Sequence, residues 1–182
     1  MDEQKTLFKN RTMLGVLIMR VQVPFLTKSH LAMIQTIQQR YPRMVILLGV
    51  AKKISFDNPY SFDFRRQMLL SELELRPHDV ILPLLDNLGD NPAWVASVDQ
   101  SIDSLLSPAE EAILYGGRDS FIPYYTKDGG RYPTQELLPQ DNNSGTELRN
   151  IGATEPPIYS PEAAKAMLWF YSQLEAQGAI TS

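Results

Sequence analysis

The sequence predicts an α/β domain with a doubly wound, mainly parallel sheet, because apolar runs alternate with segments of helical periodicity. The stretches "MLGVLIMRV" (13–21) and "MVILLGVA" (44–51) are continuous apolar runs, as expected of strands buried on both faces. Between them, the apolar residues Leu31, Ile34 and Ile37 recur at helical spacing. A strand–helix–strand unit of this kind implies a parallel pair of strands joined by a right-handed crossover.

The rest of the chain continues the same alternation. Two further helix–strand pairs follow the second strand, and then come a region of weak periodicity and a closing helix. The predicted elements are a helix over 62–75, a strand at 79–86, a helix over 92–106, a strand at 112–117, a loop over 119–143 and a helix within 160–178. Ser61 and Ser160 are the expected N-caps of the first and last of these helices. We therefore expect one domain over 1–182, with a core at about 13–150 and a C-terminal helical segment at 151–182.

Composition restricts the class of function. The chain has 182 residues, 43% apolar and 21% charged, which is ordinary for a globular protein. A net charge of −4 disfavours general binding to nucleic acid or to a membrane surface. The absence of cysteine excludes disulfides and thiolate metal sites, and the two histidines lack metal-ligand spacing, so no protein-held metal is expected. The charged N-terminus and the lack of an apolar run of ~18 residues predict a cytoplasmic protein.

The polar loop after the first predicted strand is the first candidate ligand site, since doubly wound sheets bind ligands beyond the carboxyl ends of their strands. This loop leads into a helix N-terminus, where free N–H groups and the helix dipole favour phosphate. On this loop alone, the simpler interpretation is that Thr27 or Ser29 caps the helix and that His30 is a solvated first-turn residue. The groups available for phosphate chemistry belong to Arg20, Thr27, Lys28, Ser29 and His30.

A second polar cluster occurs at "NNSGTELRN" (142–150). Ser144 and Thr146 can donate hydrogen bonds to phosphate oxygens, and the guanidinium of Arg149 can hold two of those oxygens. The alternative interpretation is a capping box, because Glu147 follows Ser144 by three residues. Two such clusters on opposite sides of the fourth strand could face each other across a triphosphate.

Five stretches, in order, resemble the motifs of one enzyme family. "RVQVPFLTKSHL" resembles "GRFQPFHxGHL", "DNPYSFDFRRQML" resembles "NPFTxxERxxMI", and "DNLGDNPAWVASV" resembles a "D…N…W…V" segment. "LYGGRDSFIPYY" is similar to "GxxKDxSSYY", and "SGTELR" to "S-(S/G)-T-x-(I/V)-R". The chain thus resembles the (H/T)-x-G-H nucleotidylyltransferases over 14–149, and among them the nicotinamide mononucleotide (NMN) adenylyltransferases. It departs from their pattern in that Ser29 replaces a glycine, Leu26 stands near the first histidine position, and the loop is longer.

The resemblance implies a Rossmann-like nucleotidylyltransferase that joins the phosphate of NMN to the AMP moiety of ATP, giving NAD and pyrophosphate. ATP and a pyridine mononucleotide would be the partners, with Mg²⁺ accompanying ATP. The protein could also form a homo-oligomer. The residues that the resemblance implicates are His30, Thr27 and Arg20 in catalysis, Ser29, Ser144, Gly145, Thr146 and Arg149 at the ATP phosphates, and Trp94, Asn58 and Arg65 at the mononucleotide.

Other interpretations stay open at this point. The acceptor could be nicotinate mononucleotide, FMN or phosphopantetheine, or the chain could be a non-catalytic nucleotide-binding protein. Trp94 could be a half-buried core aromatic, while Arg65 and Arg66 could either buttress the mononucleotide loop or lie on a solvated helix face. Since the chain ends soon after its predicted closing helix, we expect no attached Nudix hydrolase domain.

Overall fold

A computed structural model describes residues 12–138, apart from 24, 54, 56–57, 88 and 118–119. This part of the chain alternates strictly between strand and helix. The elements are β1 (Met13–Met19), α1 (Lys28–Arg40), β2 (Arg43–Val50), α2 (Phe62–Glu72), β3 (Val80–Leu85), α3 (Asn91–Asp103), β4 (Glu111–Gly116), α4 (Ile122–Lys127) and β5 (Thr134–Glu136). Over the described ranges, no helix is long and apolar enough to cross a bilayer.

The strands form one five-stranded sheet in the order β3–β2–β1–β4–β5, and every neighbouring pair is parallel. In the centre, Val16 of β1 lies opposite Val45 of β2 and Leu114 of β4. The predicted fold class, a doubly wound parallel α/β sheet, is confirmed.

Each face of the sheet is covered by a different pair of helices. Leu17 and Ile46 belong to the apolar cluster that contains the buried residues of α1 and α2. Val16 and Val45 belong to the cluster that contains those of α3 and Tyr125 of α4. Successive residues of the central strands thus serve opposite faces, which is why these strands read as continuous apolar runs.

Two elements correct the predicted loop over 119–143. The helix α4 has six residues and contains a proline in its first turn, and the strand β5 has three residues at the edge of the sheet. Elements this short contain too little of either period to be recognised in a sequence. The predicted closing helix within 160–178 lies outside the described residues.

The boundaries of the long elements differ slightly from the predicted ones. The strand β1 ends at Met19 because the chain turns soon after it, with Val21 at a φ of 49°. A branched side chain rarely adopts this backbone conformation. The helix α1 begins at Lys28, two residues before the predicted start, because Thr27 caps it.

The strand order places the topological switch point between β1 and β4. From β1 the chain winds outward through β2 and β3, and β4 then begins the opposite half of the sheet. The carboxyl end of β1 leads to α1, and that of β4 leads to Gly116 and Gly117. The crevice in which such folds bind ligands therefore lies between the start of α1 and the end of β4.

Candidate active site

Thr27 and His30 form a reciprocal capping box at the start of α1. The Thr27 hydroxyl oxygen accepts a hydrogen bond from the backbone N–H of His30 at 3.3 Å. In return, the backbone N–H of Thr27 donates to Nδ1 of His30 at 3.1 Å, and Thr27 Oγ1 lies 2.9 Å from the same nitrogen. The expectation that Thr27 caps the helix is confirmed.

The capping box also fixes the imidazole. Because a backbone N–H can only donate, Nδ1 of His30 must be the acceptor, and the proton of the neutral ring then resides on Nε2. His30 is half-buried, beyond the carboxyl end of β1. The ring is thus held in one tautomer, with Nε2 as its hydrogen-bond donor.

Ser29 lies on the buried side of α1, with Ile34 and Ile37, and is only 5% exposed. Its hydroxyl therefore does not stand on the surface of the loop. In the resemblance to the nucleotidylyltransferase motif, Ser29 occupies the glycine position. The added side chain is accommodated inside the protein.

Arg20 lies just after β1 and is joined to two residues from other parts of the chain. Its Nη1 donates to Oδ1 of Asn58 at 3.0 Å and lies 2.9 Å from Oδ2 of Asp86. The Arg20 side chain is still 52% exposed. The structure thus brings together Arg20, which the resemblance implicates in catalysis, and Asn58, which it implicates at the mononucleotide.

Asp86 is a site residue that sequence reasoning did not single out. It directly follows β3, and its backbone N–H donates to the carbonyl of Val50 at the end of β2. The signal in the sequence was an aspartate at the end of a predicted strand and at the start of "DNLGDNPAWVASV". Only the sheet order shows that this strand end lies beside Arg20.

Arg65 is only 1% exposed, which corrects the interpretation that it lies on a solvated helix face. Its Nη1 donates to the carbonyls of Arg20 at 2.5 Å and Gly49 at 2.9 Å, and its Nε donates to the carbonyl of Ser61. Arg65 therefore lies inside the protein and not on a solvated helix face. It buttresses the ends of β1 and β2.

The charge of Arg65 is retained inside the protein at neutral pH. Burial and the neighbouring Arg20 lower the pKa of Arg65 to about 10, while the charge of Asp86 opposes the shift. The ends of β1, β2 and β3 thus hold two cations and one anion, which favours an anionic ligand.

Trp94 lies in the first turn of α3, where Asp90 caps the helix by accepting from the N–H of Ala93 at 3.0 Å. It is half-buried and packs against the second apolar cluster, with its ring centroid 5.8 Å from that of Phe121. Part of the Trp94 ring therefore packs against the core, in agreement with the interpretation of Trp94 as a half-buried core aromatic.

The predicted phosphate-binding residues Ser144, Gly145, Thr146 and Arg149 lie outside the described residues. Within the described part, no three or more metal-ligating side chains lie together.

Solved structures with the same fold are bifunctional NMN adenylyltransferases and a NadR protein. The chain matches a bifunctional NMN adenylyltransferase/ADP ribose pyrophosphatase from Francisella tularensis, complexed with AMP and a Mn ion. That match has a TM-score of 0.68 and 21% identity and covers 90% of this chain and 49% of the other. A second structure of such a bifunctional enzyme from Francisella tularensis gives 0.67 and 24%, covering 76% of this chain and 41% of that one.

A NadR protein in complex with NAD and AMP-PNP matches with a TM-score of 0.57 and 12% identity, covering 80% of this chain and 44% of that one. The chain thus spans half or less of the length of each of these structures. No protein-family model and no curated protein matches the sequence. At these identities the likeness shows the fold, a Rossmann-like domain of the type found in NMN adenylyltransferases.

Proposed function

We propose that the protein is an adenylyltransferase that joins the phosphate of NMN to the AMP moiety of ATP, giving NAD and pyrophosphate. The observation that carries this proposal is the Thr27–His30 capping box beyond the carboxyl end of β1. It holds a histidine in a defined tautomer at the start of α1, beside the switch point of the sheet. The fold shared with NMN adenylyltransferase structures and the five resembling motifs agree with it.

The reaction needs no nucleophile from the protein. An oxygen of the mononucleotide phosphate bonds to the α-phosphorus of ATP, while the bond between that phosphorus and the bridging oxygen breaks. Pyrophosphate leaves with the bridging oxygen and its electron pair. The chain's contribution is then to align two anions and to stabilise the charge that develops on the phosphate oxygens.

In this proposal, Nε2–H of His30 donates to an oxygen of the α-phosphate. The contacts of Nδ1 with Thr27 keep the proton on Nε2 and hold the ring in place before the substrate binds. The N-terminus of α1 adds the positive end of its dipole. Since these groups are arranged beforehand, little reorganisation is needed as charge develops.

The other candidate residues have supporting roles in the proposal. Ser144, Gly145, Thr146 and Arg149 hold the β- and γ-phosphates, as the resemblance implies. When bound with ATP, Mg²⁺ would reduce the negative charge of the triphosphate that these residues hold. In the proposal, the exposed part of Trp94 stacks on the pyridine ring. Asn58, whose Oδ1 accepts a hydrogen bond from Arg20, positions the mononucleotide.

The test is pyrophosphate release from ATP with a panel of phosphate acceptors. The panel contains NMN, nicotinate mononucleotide, FMN and phosphopantetheine. We expect release with NMN, and His30→Ala should lower it by several orders of magnitude. The matched control is His78→Ala, because His78 is exposed in the turn before β3.

Three outcomes would contradict the proposal in different ways. Release only with another acceptor would replace the substrate and keep the class of reaction. ATP binding without release with any acceptor would favour a nucleotide-binding protein without this activity. Near-normal release in His30→Ala would remove the histidine from the mechanism.

A further inference from the structure

The guanidinium of Arg20 is held by one of its nitrogens. Nη1 donates to Oδ1 of Asn58 at 3.0 Å and lies 2.9 Å from Oδ2 of Asp86. Within the described ranges, Nε and Nη2 of Arg20 have no hydrogen-bond partner. These two nitrogens form an edge whose geometry matches two oxygens of one phosphate.

Asp86 is the buried member of this arrangement. Its side chain is 7% exposed, and its ion pair is with Arg20. Because the contact with Nη1 lacks hydrogen-bond geometry, Oδ2 has no hydrogen-bond partner in the part of the chain that the structure describes. A buried carboxylate in this state is costly unless a nearby cation compensates it, so Asp86 strongly favours Arg20 in its observed position.

The backbone beneath Arg20 is also held firmly. Arg65 donates to the carbonyl of Arg20, and Val21 is buried with a φ of 49°. One residue further on, Gln22 exchanges two hydrogen bonds with the backbone of Tyr60. Arg20 is thus placed from both its backbone and its side chain.

The sheet order indicates whether Arg20 contacts the phosphate of the acceptor or the phosphates of ATP. Asn58 follows β2 and Asp86 follows β3, so both anchors lie on the β2–β3 side of β1. The crevice beside His30 lies on the other side of β1, towards β4. The two phosphates of the proposed reaction would therefore approach the end of β1 from opposite sides, with Arg20 on the acceptor side.

The geometry points to Asp86 as a positioning residue. It holds the Arg20 side chain where the guanidinium can bind the phosphate monoester of the acceptor. Binding is thereby selective for a mononucleotide over its nucleoside. This inference rests on the proposed function for the identity of the acceptor. An unanchored arginine would lose side-chain entropy when it bound the phosphate. The anchored arginine has already lost that entropy, while its Nε–Nη2 edge has no hydrogen-bond partner among the described residues.

The test compares binding of NMN with binding of nicotinamide riboside, measured by calorimetric titration without ATP. A charge-assisted contact predicts that the wild type prefers NMN by about tenfold to a hundredfold. Asp86→Asn keeps the shape of the side chain and should reduce this preference to about threefold or less. Arg20→Lys keeps a charge on an exposed side chain but loses the bidentate edge, and it should reduce the preference similarly.

A double-variant cycle separates positioning from a general structural effect. If Asp86 acts through Arg20, then Asp86→Asn should change nothing further in an Arg20→Ala background. Asp63→Asn, on the exposed side of α2, is the matched control. Thermal unfolding of each variant shows that the fold is retained.

Several results would overturn the inference. The first is an unchanged preference for NMN over nicotinamide riboside in Asp86→Asn or in Arg20→Lys. The second is an equal effect of Asp86→Asn on this preference in the wild-type and Arg20→Ala backgrounds. The third is a wild-type protein that binds NMN and nicotinamide riboside equally well. Because ATP is absent, selective binding can be observed even if the protein releases no pyrophosphate. That combination would refute the proposed function and support the role of Asp86.

Discussion

Gly117, one residue past β4, lies close to Met33 of α1: a β-carbon at Gly117 would be 3.5 Å from Sδ of Met33. This distance is an ordinary van der Waals contact, so the fold can accept an alanine there. The same methyl group would, however, occupy space between the end of β4 and α1. Under the proposed function, this is the crevice in which ATP binds.

Gly117→Ala should therefore raise the KM for ATP by about tenfold, which is the size of effect that one added carbon has in a fitted pocket. The midpoint of thermal unfolding should stay close to that of the wild type. Steady-state pyrophosphate release at varied ATP concentration measures the first quantity. An unchanged KM for ATP would indicate that the nucleotide does not occupy this crevice.

Thr27→Val should reduce both turnover and stability, because it removes the hydroxyl of the capping box. The loss of an N-cap costs about 1 kcal/mol of unfolding free energy. Turnover should fall by about tenfold, as expected when one hydrogen bond that orients a catalytic group is removed. The readouts are kcat and urea unfolding.

Thr36→Val is the matched control for this prediction. The Thr36 hydroxyl donates to the carbonyl of Ala32 within the same helix, away from the proposed site. Turnover in Thr36→Val should stay near that of the wild type. If the two valine variants had equal turnover, the capping box would have no part in catalysis.

Arg65→Met should destabilise the fold by about 3 kcal/mol, because it leaves the carbonyls of Arg20 and Gly49 without their buried donor. Urea unfolding gives the change in unfolding free energy. The neighbouring Arg66→Met is the control, since Arg66 is only half-buried. Equal stabilities of the two variants would contradict the buttressing role of Arg65.

Asp79 predicts a pH-dependent contribution to stability at the amino ends of β2 and β3, the opposite end of the strands from the proposed site. It is buried and accepts hydrogen bonds from the backbone of Met44 at 2.8 Å and from the guanidinium of Arg76. Burial raises the pKa of Asp79, but hydrogen bonds from Arg76, Gln38 and the Met44 backbone outweigh that effect and lower it overall. The ionised carboxylate therefore stabilises the folded state.

The sign of the pH dependence follows from the lowered pKa. The unfolded chain takes up the proton at a higher pH than the folded protein does, so stability falls as the solution becomes more acidic. At pH 7, Asp79→Asn should cost about 3 kcal/mol of unfolding free energy. This difference should persist down to about pH 4 and shrink as the pH falls through the folded-state pKa.

Urea unfolding of wild type and Asp79→Asn between pH 7 and pH 3 measures this dependence. Asp63→Asn, which removes an exposed carboxylate, is the control. A difference between wild type and Asp79→Asn that stayed constant across this range would contradict the assigned ionisation.

The parts of the fold that were predictable are those encoded locally. The central strands are continuous apolar runs because both faces of the sheet are covered, and α1 shows helical spacing at Ile34 and Ile37. The capping role of Thr27 was also visible, since a cap depends on residues within one turn. By contrast, α4 and β5 were missed because six and three residues contain too little of either period.

The site was only partly predictable because its geometry depends on distant partners. Arg65 is separated by 45 residues from Arg20 and by 16 from Gly49, the residues whose carbonyls it contacts. Arginine is a residue type that mostly lies on the surface, so its presence on a predicted helix gave no sign of such burial. Likewise, the contact of Asp86 with Arg20 requires the order of the strands, which periodicity alone does not give.

The proposed reaction is tested most directly by following the phosphorus atoms of ATP. Wild-type protein is incubated with NMN and with ATP labelled either at the α-phosphorus or at the γ-phosphorus. The proposed function predicts that the α label appears in NAD and that the γ label appears in pyrophosphate. Failure of the α label to enter NAD, or transfer of the γ label to the mononucleotide, would contradict it.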